Sequence, residues 1–233
     1  MLTTVNRPPE NAKFVLDNNQ GWVALIDRMG EEIKAVNAAR VSFGKFKTEF
    51  DDKDATLLNF LIDEGHFAPL EHITLTFLVH CPLFVRGQWM RHRTFAYNEV
   101  SRRYTEVDIE LYTAKNYRVQ SANNKQASID GQFIENNEEA EKIMQEANNK
   151  AFETYNKLLE LGVCREQARS ILPQNMFVTF YATVNMRNLL HFLSLRMDAH
   201  AQKEIREYAC AMHDMLVPLY PNIMKAFDEG RVK

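Results

Sequence analysis

From Ile73 to Val79 the chain alternates: Ile73, Leu75, Phe77 and Val79 fall on one side, Thr74, Thr76 and Leu78 on the other. A period of two marks a β-strand, and so dense an apolar set presses one face firmly against a core. The expected strand runs from His72 to His80, and Pro82 then stands where the first position of a helix is expected. A chain committed to such a strand has to build a sheet and cover it.

The rest of the pattern supplies strands and covering helices. Trp22 to Ile26 is a short apolar run between glycines and reads as a buried strand, as does the strand-forming run Met176 to Thr183. Helical spacing is present from Glu31 to Val41, from Asp54 to Glu64 and from Leu83 to His92. Asp54 is the expected cap of its helix and Gly65 the expected stop. The longest helical pattern runs from Asn137 to Leu161, with Ile143, Ala147, Ala151, Tyr155, Leu158 and Leu159 on its inner face. Shorter helices are expected over 165–171, 186–196 and 199–219, the last ending before Pro221. Residues 115–138, rich in Asn, Gln, Ser and Lys, read as a surface loop. Helices and strands mix without a strict strand–helix–strand rhythm, and there is no internal repeat. The expected class is mixed α/β (α+β), as a single domain over 1–233.

Composition narrows the function classes. With 233 residues, 45% of them apolar and a formal charge of −3, the chain can bury an ordinary core and has no bulk charge for coating nucleic acid. Cys81, Cys164 and Cys210 form no C-x-x-C pair, which argues for a reducing compartment and against a structural zinc. All three are expected in apolar or helix-packing surroundings. The first residues do not read as a signal peptide, and no run approaches the ~18 apolar residues of a membrane span. The expectation is a cytoplasmic protein without membrane or nucleic-acid partners.

The chemistry concentrates in 88–104, Gln-Trp-Met-Arg-His-Arg-Thr-Phe-Ala-Tyr-Asn-Glu-Val-Ser-Arg-Arg-Tyr. Arginine offers planar, paired donors that match phosphate oxygens. His92, between Arg91 and Arg93, would have its charge disfavoured and could serve as a neutral donor. Glu99 can accept from a ribose hydroxyl or a base N–H. Such a set suits a nucleotide; it also suits a solvated helix end or a salt-bridge network between subunits. No Gly-rich phosphate loop is present. Later, Arg187 and His191 lie four residues apart and share a helix face. His66, Glu71 and His72 lack metal-ligand spacing, so no metal is expected, and Glu71 and His72 read as loop anchors.

Arg91-His92-Arg93, seven residues, then Ser101 resembles the signature of the flavin-dependent thymidylate synthases, with Gln88-Trp89 before it and Arg103-Tyr104 after it. Ala39 to Phe43, the His66-to-His72 junction, Arg165 to Pro173, and Asn185-x-Arg187 through Leu195-Arg196 to His200-Ala201-Gln202 are similar to family segments in the family's order, covering roughly 20–215. The resemblance implies the thymidylate synthase-complementing fold, with a central mixed or antiparallel sheet flanked by helices. It implies methylation of dUMP to dTMP with FAD as cofactor, NADPH as reductant and 5,10-methylenetetrahydrofolate as carbon donor. It also implies a homotetramer with sites shared between subunits. For FAD it implies Ser42, His66, Arg91, His92, Arg93, Glu99, Asn185, Arg187 and His191. For dUMP it implies Gln88, Arg91, Glu99, Ser101, Arg103, Arg169 and Arg196. Arg196 would be the catalytic residue, set against the uracil to favour ionisation at N3, and His66 and Tyr104 would lie near the folate. Ala68 and Ala96 depart from the pattern, each removing one hydrogen bond to FAD, about 1 kcal/mol.

No cysteine is flanked by an activating base, and Ser101 has no Ser–His–Asp arrangement, so the expected reaction proceeds without a protein nucleophile. Two alternatives use the same residues: a flavin-dependent dUMP hydroxymethylase, told apart by its product, and a non-catalytic nucleotide-binding protein, which would have no use for Arg187 and His191.

Overall fold

The computed structural model describes residues 5–17, 19–105, 109–122 and 128–232. Residues 123–127 of the expected surface loop, and the first four of the chain, lie outside the described residues. In chain order the strands are β1 (Lys13–Val15), β2 (Gly21–Met29), β3 (Thr74–Pro82), β4 (Ala96–Glu99), β5 (Arg118–Gln120), β6 (Ser128–Phe133) and β7 (Phe177–Asn185). The helices are α1 (Glu32–Arg40), α2 (Asp52–Asp63), α3 (Leu83–Trp89), α4 (Asn137–Glu160), α5 (Arg165–Ala168), α6 (Met186–Arg196), α7 (Lys203–Leu216) and α8 (Pro221–Asp228). Short 3-10 turns occupy Val41–Phe43, Ala68–His72 and Arg169–Ile171.

The main sheet has five strands in the order β1-β2-β3-β7-β4, and every pairing is antiparallel. The fold is therefore mixed α+β on an antiparallel sheet. Alternation on β3 sets its faces. Leu75, Phe77, Val79 and Cys81 are buried and pair across to Val184, Ala182, Phe180 and Val178 of β7. On that face Trp89 of α3 packs against Phe180, Phe192 of α6 and Tyr208 of α7. Three helices are thus joined to the sheet through one indole. The opposite face carries His80, stacked between Trp22 and Phe177 and bonded to Thr179 at 2.8 Å.

Several expectations need correction. The helix after β3 stops at Trp89, and Pro82 caps it instead of entering it. The cap of α2 is Asp51; Asp54 sits at the third helical position and completes a capping box. The 115–138 region is not one loop: β5 and β6 pair as a two-stranded ribbon, and its last two residues begin α4. Along α4 the buried residues are Asn148 and Tyr155, while Ile143 is 60% exposed and Ala147 is also exposed. The helix is covered by α5 and the 3-10 turn after it, which reach only part of its length. Pro221 is not merely a stop, because it opens α8. The N-terminus of α8 is capped by the buried Glu32 carboxylate of α1, which accepts from the backbone of Asn222 and Ile223 at 2.7 and 2.9 Å.

One ion cluster fixes the segment that carries Ser42. Asp54, fully buried, pairs with Arg40 at the end of α1 and with Lys47 at 2.7 Å. Asn37 exchanges two hydrogen bonds with the Lys47 backbone. Burial alone would raise the Asp54 pKa, but Lys47, the Asp51 backbone N–H and Arg40 together hold it well below the usual carboxylate range. Asp54→Asn is expected to lower stability by about 2–3 kcal/mol, because two cations lose a charged, buried acceptor. Urea unfolding checks this, and an unchanged midpoint would show that the cluster does not hold the segment.

Candidate functional site

The site is built on the turn between α3 and β4. Trp89 and Phe95 are buried apolar anchors at its two ends; Phe95 stacks on Tyr97 at 5.7 Å and meets Phe192 edge-on. The Tyr97 hydroxyl lies 3.0 Å from the carbonyl oxygens of both Trp89 and His92, closing the turn from β4. With its anchors buried, the turn leaves Arg91 and Arg93 exposed and turns His92 inward.

Arg196, the last residue of α6, reaches back to this turn. Its Nε donates to His92 Nε2 at 2.9 Å, its Nη2 to the Gln88 carbonyl at 3.1 Å and its Nη1 to Gln88 Oε1 at 3.4 Å. Among the described residues none of its partners is a carboxylate. Burial, then the nearby charge of Arg91, lowers the Arg196 pKa from its ordinary value. Burial also depresses His92, to about 4, with further contributions from the charges of Arg196 and His191. His92 is therefore neutral near pH 7, as its neighbours in sequence implied. The cause differs: burial, Arg196 and His191 outrank the flanking arginines. Because Nε2 accepts from Arg196, the proton sits on Nδ1.

Arg187 and His191 share a face of α6, as their spacing requires. Together with Phe67, Asn188, Ser194 and Val232 they line a cavity of about 290 Å³. Arg231 grips the Asp63 carboxylate with two bonds, at 2.7 and 2.8 Å, just before Val232 at the cavity wall. Asn185 caps α6, its Oδ1 accepting from the Asn188 backbone at 3.0 Å. Glu71, expected to anchor a loop, pairs with Arg187 at 2.6 Å and so ties the 3-10 turn at 68–72 to α6.

A second cavity, of about 430 Å³, is lined by Glu99, Arg102, Glu166 and Arg169 among others. Glu99 pairs with Arg86 at 2.6 Å, and Arg103 with Glu166 at 2.9 Å. These are exposed pairs, each worth about 0–1 kcal/mol.

The structure thus brings Gln88, His92 and Arg196 into direct contact, with the charges of Arg91 and His191 close enough to shift them. Arg187 and His191 lie together at the first cavity, Glu99 and Arg169 at the second. Ser101 Oγ accepts from the Arg103 backbone N–H at 3.3 Å, at the start of the turn after β4. Ser42 is exposed in the 41–43 turn, and His66 is exposed with its ring edge-on to Phe60 at 6.2 Å; neither touches these groups. Tyr104 is 79% exposed, under the Arg103 guanidinium. Tyr97 and Arg86 had no expected site role, and Glu166 and Gln202 stood only within segments similar to the family's; the side-chain amide of Gln202 meets that of Gln88. The alternation of β4 was the one local signal for Tyr97.

The cysteines lie outside this arrangement. Cys81 is buried in the core, where burial pushes its thiol well up, and Cys210 is raised the same way. Cys164 departs from its expected packed setting: it is exposed at the start of α5.

Residues 24–222 match the family described as thymidylate synthase complementing protein. The flavin-dependent thymidylate synthase of Thermosipho africanus (strain TCF52B) is 40% identical over 210 residues, covering 90% of this chain and 91% of that one. That of Thermosipho melanesiensis is 43% identical over 196 residues, covering 84% of each chain. Among solved structures, the UMP/dUMP methylase PolB from Streptomyces cacaoi, bound with 5-Br dUMP, superimposes with a TM-score of 0.81 at 34% identity, covering 90% of this chain and 96% of that one.

A neutral, inward-turned His92 has a consequence for stability. The unfolded imidazole takes up a proton near 6.5 and the folded one only near 4, so stability falls as pH drops through that window. His92→Gln, which keeps an acceptor for Arg196, is expected to flatten that part of the profile. Denaturant unfolding between pH 7 and pH 4 reads it; equal slopes in both proteins would contradict the assignment.

Proposed function

The chain belongs to the flavin-dependent thymidylate synthases, the thymidylate synthase complementing protein family, and on that footing we propose that it methylates dUMP to dTMP with FAD as cofactor. The one-carbon unit comes from 5,10-methylenetetrahydrofolate, which leaves as tetrahydrofolate, and NADPH provides the reducing equivalents. The working form is a homotetramer in which neighbouring chains complete each site, and the whole chain acts as one domain in the cytoplasm.

The observation that carries this reading is the Arg196 guanidinium, half-buried and, among the described residues, held by neutral acceptors alone. A cation kept in place without a counter-ion is suited to an anion that arrives or develops beside it. A uracil losing its N3 proton is such an anion. His92 and the Gln88 carbonyl orient the guanidinium, and Arg196 stabilises the charge on the ring. No side-chain nucleophile is needed, in keeping with a buried, raised Cys81 thiol.

The donor set also fits the cofactor. FAD carries a diphosphate, and Arg91 and Arg93 are exposed cations on one anchored turn. Arg187 and His191 line a cavity along α6, the helix that Asn185 caps. We assign Ser42, His66, Arg91, His92, Arg93, Glu99, Asn185, Arg187 and His191 to holding FAD. Gln88, Arg91, Glu99, Ser101, Arg103, Arg169 and Arg196 are assigned to dUMP, and His66 and Tyr104 to the folate side. The chemistry that bound FAD supplies is reduction of the transferred carbon. Because the two cavities share no lining residue on one chain, shared sites between copies are the natural way to bring their residues together.

Arg196→Ala is expected to retain FAD yet lose about 10²–10³-fold in dTMP formation, the size typical of removing one oriented electrostatic donor. Flavin absorbance per protein and product chromatography measure both at once, and near wild-type turnover would sink the role of Arg196. Arg91→Ala is expected to weaken FAD and dUMP about tenfold or more; an unchanged FAD content in that variant would remove Arg91 from the cofactor site.

A further inference from the structure

The contact between Gln88 and Arg196 depends on which end of the Gln88 amide faces the guanidinium. Arginine only donates, so the contact requires the oxygen end. Nothing within α3 fixes that choice, since an amide can turn over at little cost. The choice is fixed through a chain of side chains that ends away from the site. Gln88 Nε2 donates to Gln202 Oε1. Gln202 Nε2 donates to Glu204 Oε2 at 2.8 Å. The other oxygen of Glu204 accepts from Arg118 Nη2 of β5 at 2.7 Å, and Arg118 Nε donates to Ser128 Oγ at the start of β6.

Glu204 is 5% exposed, at the start of α7, and its carboxylate accepts at both oxygens. It therefore takes the N–H₂ end of Gln202, which turns the Gln202 oxygen toward Gln88. Gln88 must then answer with its own N–H₂ end, leaving Oε1 for Arg196. Each step follows from donor and acceptor capacity, and reversing any one sets two donors or two acceptors face to face.

We propose that Glu204 is a positioning residue for the nucleotide site: through Gln202 it sets the polarity of the Gln88 amide and so the seat of Arg196. The inference rests on the proposed assignment of Gln88 and Arg196 to dUMP. Turning the Gln88 amide over would place donors against Arg196 Nη1 and loosen the guanidinium where the uracil has to meet it. Arg118 extends the same chain into the β5–β6 ribbon, which makes that ribbon part of the support of the site.

The test uses the full-length, FAD-loaded protein, with dUMP affinity read by calorimetry and dTMP formation as a second readout. Glu204→Gln removes the fixed acceptor, and Gln202→Met breaks the chain at an exposed position while leaving the Glu204–Arg118 pair intact. Both are expected to weaken dUMP binding about tenfold, about 1.4 kcal/mol. The double variant Gln202→Glu with Glu204→Gln restores a fixed acceptor for Gln88 and is expected to regain most of the loss. A role limited to pairing Arg118 would give no such rescue, since that charge pair is still missing. Wild-type affinity in Gln202→Met, or a Glu204→Gln loss that Gln202→Glu leaves in place, overturns the relay while the site reading stands. A wild-type protein that binds no dUMP overturns the site reading and the relay with it.

Discussion

Arg196 is the interaction on which the rest of the site depends. Burying a guanidinium without a carboxylate is costly, and the lowered pKa of Arg196 records that cost. The fold meets it with three neutral acceptors placed by two different elements: His92 from the turn after α3, and the Gln88 carbonyl and amide from α3 itself. A carboxylate in that position would stabilise the resting protein but would compete with any anion at the same place. Keeping the partners neutral leaves the positive charge available, and the depressed His92 pKa keeps that partner neutral over the working pH range.

The architecture serves this geometry. Pairing of β3 with β7 fixes where α3 and α6 begin, because each helix starts at the end of its strand. Trp89 then locks α3, α6 and α7 against one face of the sheet. With the helices fixed, α6 presents Arg187 and His191 on one side, and its last residue, Arg196, on another. The antiparallel pairing of β4 with β7 brings Tyr97 under the turn, so that the exposed cations Arg91 and Arg93 sit on a clamped loop instead of a mobile one.

What the sequence made legible was what local periodicity encodes. The alternation around β3, the apolar run of β7 and the span of α6 all came through, and so did the shared face of Arg187 and His191. Neutral His92 was anticipated with the wrong cause, since its flanking arginines are exposed, and burial comes first, followed by the charges of Arg196 and His191 from α6. The failures share a physical origin in distant partners. α8 was missed because its cap is Glu32, 190 residues away from Asn222 in the chain. The ribbon of β5 and β6 was hidden by polar composition, and its Arg118 answers to Glu204 on α7. Ile143 and Ala147 satisfied helical spacing, yet both are left exposed. Family motifs supplied the candidate site residues, whereas the contacts among them, above all Gln88 with Gln202, came only from the folded chain.

In the proposed function, nucleotide and flavin meet at the charge held by Arg196. The most direct measurement is the visible absorption spectrum of the FAD-loaded protein during titration with dUMP. Flavin bands are expected to shift and saturate as the nucleotide fills the site beside the cofactor. Flavin bands unchanged at saturating dUMP, with dUMP binding confirmed separately, would place the two ligands apart and contradict it.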